Sequence, residues 1–191
     1  MSGRQRAARK SMRRFRHAAI IFLAIMSCHG SVAFAGPTTD SMSEREVARC
    51  IRTAAAGRPW LEKTLWGLRD QEGGWIGAEI RNTNGSHDLG PLQVNSWWVI
   101  KIAKATGRPA VDVRWWLTHD ACFNVSAARW IFLSGLAVTR DYWRAVGVYH
   151  SPTEWRQQRY SLSVAQHLRR RFGGDVFRAD RLAPPADRNA E

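Results

Sequence analysis

The chain has 191 residues, with 29 Lys and Arg against 16 Asp and Glu, which gives +13. A hydrophobic fraction of 45% and ten tryptophans exclude a largely disordered chain and suit one domain with its own core. Seven basic residues (Arg4, Arg6, Arg9, Lys10, Arg13, Arg14, Arg16) and no acidic ones fall within residues 1–35. Without them, 22 basic and 16 acidic residues leave +6 over 156 residues. More than half the charge that would suggest a nucleic-acid partner therefore sits in one short segment, and no such partner is expected.

That segment reads as an export signal. Its positive charges precede the apolar run Ala18 to Met26, and small residues follow, ending in Ala33-Phe34-Ala35. The run falls well short of the ~20 residues that span a bilayer, so cleavage after Ala35 and a periplasmic location are expected rather than an anchor. Lipidation at Cys28 is disfavoured, because Ile25-Met26-Ser27 fits a lipoprotein box poorly. No later segment is read as long and apolar enough to cross a membrane. Loss of Cys28 leaves Cys50 and Cys122, and an even pair in an exported protein suggests a disulfide, the alternative being two buried thiols. No metal site and no cofactor are expected, since no His/Cys cluster or Asp-rich loop has ligand spacing.

After a linker at 36–42, helical patterns dominate residues 43–172. Ser43-Glu44-Arg45-Glu46 is a capping box that predicts a helix to about Ala56, closed by Gly57. Pro59 suits the first position of a second helix running to Asp70 or Gln71. Residues 73–91 are rich in Gly and Asn and predict a structured loop, with a short hairpin at Asn82-Thr83-Asn84-Gly85. A helix from Asn95 or Ser96 should stop at Gly107, and another follows Pro109. Asp120 should cap a helix burying Val125, Ala128, Phe132 and Leu136, with Trp130 and Trp143 also inside. Trp143, Val146 and Tyr149 recur at three-residue spacing. A second capping box, Ser151-Pro152-Thr153-Glu154, should open a helix with Trp155, Leu162, Ala165 and Leu168 inward. Its basic end, Arg169-Arg170-Arg171, reads as solvated, and residues 173–191 read as a loose tail. The sum is one mainly α domain (α+β) with one irregular lobe.

Glu72 carries the chemistry. A carboxyl at a helix C-terminus feels the negative end of the dipole, and an apolar wall from Trp66 and Trp75 would desolvate it. Both effects hold a proton near neutral pH, which is what cleavage of a glycosidic bond needs. Taken alone, a Glu at a helix end is more often a solvated surface residue.

The segment from Glu72 to Ser96 resembles the lytic transglycosylases of the lysozyme-like superfamily, the small exported kind associated with conjugation, secretion and pilus machines. Glu72 stands where that signature begins. The Asn-rich turn is matched by Asn82-Thr83-Asn84-Gly85-Ser86-His87-Asp88-Leu89-Gly90, and the following segment by Pro91-Leu92-Gln93-Val94-Asn95-Ser96. An Asp-x-Cys-x-Asn element is matched by Asp120 to Asn124, and a Tyr-centred motif by Val148-Tyr149-His150-Ser151-Pro152. Order and spacing hold over about 45–170. Two departures stand out: Gly73 replaces the commoner Ser, and His150-Ser151-Pro152 replaces the commoner Asn-Ala-Gly.

The resemblance implies a lysozyme-like fold and cleavage of the MurNAc-(β1,4)-GlcNAc bond of peptidoglycan, with Glu72 as the single acid and a 1,6-anhydro product. It implies Gln93, Tyr149 and Ser86 as substrate-binding residues, with the Tyr149 hydroxyl on Glu72 or the sugar. The alternatives are backbone capping by Asp88, turn chemistry for Ser86, a buried turn residue for Gln93 and core packing for Tyr149. Trp75 and Trp97 or Trp98 are the candidate cleft walls. Glycan strands are the expected partner, components of a secretion, conjugation or pilus machine are further candidates, and a monomer is expected. The competing readings are a hydrolytic muramidase and a non-catalytic glycan-binding assembly factor.

Overall fold

The computed structural model describes residues 39–177. The expected export signal, its cleavage site and most of the expected tail lie outside the described residues. Seven α-helices and a three-stranded antiparallel sheet make a mainly α fold: α1 Thr39–Ala55, α2 Pro59–Glu72, β1 Glu79–Arg81, β2 His87–Leu89, β3 Val94–Asn95, α3 Trp98–Thr106, α4 Ala110–His119, α5 Ala121–Thr139, α6 Tyr142–His150 and α7 Glu154–Phe172.

Local chemistry sets most boundaries. Pro59 opens α2, and Gly73 closes it in a left-handed conformation (φ 61°), its N–H reaching Arg69 O. Gly107 closes α3 in the same way. Asp120 caps α5 by accepting the N–H of Phe123, and Asp141 caps α6 by accepting that of Arg144. Neither expected capping box holds. α1 begins at Thr39, so Ser43 lies within it and part of the expected linker is helical. α7 begins at Glu154, with Pro152 outside the helix and Ser151 Oγ accepting the N–H of Thr153.

The core gathers Leu61, Leu65 and Leu68 of α2, Leu117 of α4, Val125, Ala128 and Phe132 of α5, Val146 of α6 and Val164 and Leu168 of α7, all fully buried. Burying each large aliphatic side chain is worth roughly 1.5–3 kcal/mol. α5 is long and apolar enough to cross a membrane, contrary to expectation, but Val125, Ala128, Ile131 and Phe132 on one face of it are buried in this core, while Leu136, expected there too, is half-buried and Val138 is exposed. Two glycines let α7 approach closely. A Cβ on Gly67 of α2 would meet Leu168 Cγ at 2.9 Å, and one on Gly147 of α6 would meet Gln157 Cβ at 2.5 Å and its Cα at 2.9 Å. That approach brings the middle of α7 against the C-terminal end of α2.

The buried stripe of α7 is Tyr160, Val164 and Leu168, at a spacing of four. Trp155 and Leu162 lie outside (55% and 67% exposed), and Ala165 is half-buried, so the expected inward face is rotated. Trp130 is also exposed and packs edge-on against Trp98. The C-terminal chain is docked at first: residues Gly174–Phe177 form a 3-10 turn with Val176 buried. Arg171 is not simply solvated, since its Nε and Nη2 each lie 2.6 Å from an Asp70 carboxylate oxygen and its guanidinium sits 4.0 Å from the centre of the Trp66 ring.

Cys50 of α1 and Cys122 of α5 form a disulfide spanning 72 positions. Closing so long a loop is worth about 4 kcal/mol through the unfolded chain.

Candidate active site

Glu72 is the last residue of α2, half-buried, and its carboxyl accepts a hydrogen bond from the Tyr160 hydroxyl of α7. Burial is the main influence on the carboxyl, disfavouring its charged form. The bond from Tyr160 pulls the other way, and the negative charge of Asp88 adds to burial, leaving the carboxyl at about 7. Glu72 therefore holds its proton to a higher pH than an ordinary carboxyl does. Oε1 is engaged by Tyr160, and among the described residues no hydrogen-bond partner is seen for the second oxygen.

Of the expected walls, Trp66 is buried under Arg171, Trp75 and Trp97 are exposed, and Trp98 is half-buried against Trp130. Two tyrosines interact with Glu72. Tyr149 and Tyr160 stack at 6.5 Å, and burial together with the charge of Glu72 pushes both phenols well above their usual range, so both remain protonated donors. Tyr149 donates to the Leu92 carbonyl at 2.8 Å rather than to Glu72. It holds the floor of the site, and Tyr160 performs the contact expected of it. Tyr160 was missed because it lies 88 residues from Glu72 and only the Tyr149 motif marked a hydroxyl.

The sheet presents the opposing carboxylate. β1 pairs with β2 (Glu79↔Leu89) and β2 with β3 (Asp88↔Asn95) around the Asn82–Gly85 turn. The side chains of this lobe tie it to itself. Ser86 is buried; its hydroxyl donates to Asn84 Oδ1 at 2.8 Å and accepts from Asn82 at 3.1 Å and Asn95 at 3.0 Å. Ser86 thus organises the turn, which is its alternative reading, and its hydroxyl is occupied. Asn95 also donates to Asp88 Oδ1 at 2.8 Å. Asp88 is fixed by this side chain, and its charge reaches Glu72, Tyr149 and His150.

Gln93 stands in a left-handed conformation (φ 46°), half-buried, with Nε2 donating to Gly90 O at 2.8 Å. A Cβ on Gly74 would sit 2.3 Å from Gly90 O and 2.7 Å from Gln93 Nε2, so Gln93 lies against the backbone just after Glu72. Gly73 has its own reason to replace Ser: the helix must end in the left-handed region directly after the acid.

One residue ties these parts together. Asn124 is fully buried in α5; it accepts the N–H of Leu92 at 2.9 Å and donates to Leu89 O and Leu117 O at 2.8 Å. It pins the Gly90–Leu92 strap whose carbonyls hold Gln93 and Tyr149. The motif Asp120 to Asn124 drew attention to it, but composition offers no hint that its amide makes three buried bonds.

His150, at the C-terminus of α6, stacks flat on Tyr160 (4.6 Å, 3°). Among the described residues, no cluster of His, Cys, Asp and Glu could hold a metal ion. The arrangement offers one carboxyl poised to give and take a proton, a protonated phenol fixing its orientation, and a second, hydrogen-bonded carboxylate on the facing sheet. No family model matches the chain, and no curated protein matches it.

Proposed function

We propose that the chain is a periplasmic lytic transglycosylase of lysozyme-like fold that cleaves the MurNAc-(β1,4)-GlcNAc bond of peptidoglycan. The supporting observation is Glu72, held at about 7 by burial at the end of α2 and oriented by Tyr160. Protonated Glu72 gives its proton to the glycosidic oxygen as the C1–O bond breaks. The resulting carboxylate takes the proton of the muramyl C6 hydroxyl, whose oxygen bonds to C1 of the same ring. The acid is regenerated and no water is consumed, so the products are a free GlcNAc hydroxyl and a 1,6-anhydro end. An internal nucleophile brings a high effective molarity, and one residue serves both proton transfers. Local cleavage of this kind would open the wall for an envelope-spanning apparatus.

The test is incubation of the purified protein with sacculi and mass spectrometry of the released muropeptides. Anhydro-muropeptides, one water lighter than hydrated ones, should appear with the wild type and vanish in Glu72→Gln. Because the acid must be protonated, kcat/KM should fall tenfold per pH unit above about 7. Reducing-end products would replace this reading with a muramidase, in which Asp88 would be the candidate to activate water. Sacculus binding with no release would replace it with a glycan-binding assembly factor.

A further inference from the structure

The first two turns of α7 carry an exposed cationic and aromatic surface that the reaction above leaves unused. Trp155 is 55% exposed. The guanidinium carbons of Arg156 and Arg159 lie 5.3 and 5.9 Å from its ring centre. Both arginines are exposed, and neither makes an ion pair among the described residues. The surface adjoins the candidate site. Arg156 precedes Tyr160 by four residues, so it extends the Tyr160–Val164–Leu168 stripe one turn beyond the core. The exposed His150 ring covers the face of Tyr160 there, and the charge of Arg156 reaches it. From the acid outward, the order is Glu72, Tyr160, His150, Arg156.

Resting on the transglycosylase reading, we propose that Trp155, Arg156, Arg159 and His150 form a lip of the cleft that binds the carboxylates of peptides borne by the glycan strand. Two unpaired guanidiniums offer forked donors that match carboxylates, and the indole face suits the apolar side of a sugar ring or peptide. A strand whose carboxyls are blocked as amides gives the guanidiniums nothing to pair with. Substrate choice then lies in charge: strands with free peptide carboxylates are preferred over strands whose carboxyls are blocked.

The test uses the Glu72→Gln protein, which binds without cleaving, and two forms of sacculi, native and with the peptide carboxyls converted to neutral amides by carbodiimide coupling, which leaves the wall insoluble. Co-sedimentation should give roughly tenfold tighter binding to the native form. Arg156→Gln/Arg159→Gln, chosen to keep helix propensity, should erase that preference while leaving binding to the amidated form intact. Lys104→Gln/Arg108→Gln, equal in charge change but on α3 and the turn after it, should keep it. Equal affinity of the unaltered lip for both forms, or equal loss on both in the Arg156/Arg159 variant, would overturn the lip. Loss of preference in the Lys104/Arg108 control would also overturn it, since net charge alone would then explain binding. With Glu72 restored, a preference without anhydro products would sink the transglycosylase reading and leave the lip standing. Anhydro products released equally from both forms would do the reverse.

Discussion

The pairing of Glu72 with Tyr160 joins two effects of opposite sign on one proton. Burial raises the carboxyl, and the phenol's donated bond lowers it, because that bond is stronger to a carboxylate than to a carboxylic acid. Tyr160→Phe removes only the lowering influence, so the carboxyl should rise above about 7. The basic limb of the kcat/KM profile should then move to higher pH, while kcat falls roughly tenfold or more because the acid is no longer oriented. A pH–rate profile separates the outcomes. If Tyr160 merely packed, activity would drop with the limb unmoved. Tyr149→Phe makes a useful contrast, since its hydroxyl binds Leu92 O and not the acid.

At the scale of elements, the site depends on a strap, β2 through β3, held over the end of α2 by Asn124. Asn124→Ala would leave the Leu92 N–H and the Leu89 and Leu117 carbonyls without their partner in a buried place. Unsatisfied buried groups cost about 1–3 kcal/mol each, so a loss of at least 3 kcal/mol is expected in urea unfolding. Gly90 has no space to compensate: a Cβ there would sit 2.2 Å from Leu117 O and 2.5 Å from Asn124 Nδ2. The turn, the glycine helix stops and the Asp120 cap were legible in sequence because each rests on chemistry within a few residues. The face of α7 was not. Of the side chains expected inward, Leu168 is fully buried but Trp155 and Leu162 face outward, while the inward stripe begins with Tyr160, which counts as half polar. Which side is covered depends on Gly67 and Gly147, and a glycine in a helix does not announce what packs on it. The same blindness hid the partner of Glu72, because helix rotation decides which tyrosine reaches the end of α2.

At the scale of the whole chain, the disulfide and the site draw on different states of the molecule. Cys50–Cys122 ties α1 to the first turn of α5, two residues before Asn124. In the chain-entropy account its effect lies in the unfolded ensemble, where it forbids conformations that the reduced chain explores. The folded site is held independently by the Asn124 bonds and by the close approach of α2, α6 and α7. Cys50→Ala/Cys122→Ala should therefore cost about 4 kcal/mol in urea unfolding while leaving kcat and the pH limb near their wild-type values well below the melting temperature. A fall in kcat in a variant that circular dichroism shows to be fully folded would mean that the bond positions Asn124, and with it the strap. Unchanged stability would mean that the reduced chain already holds α1 against α5 before folding. In the first outcome oxidation acts on the site, and in the expected one it acts on the survival of the folded chain.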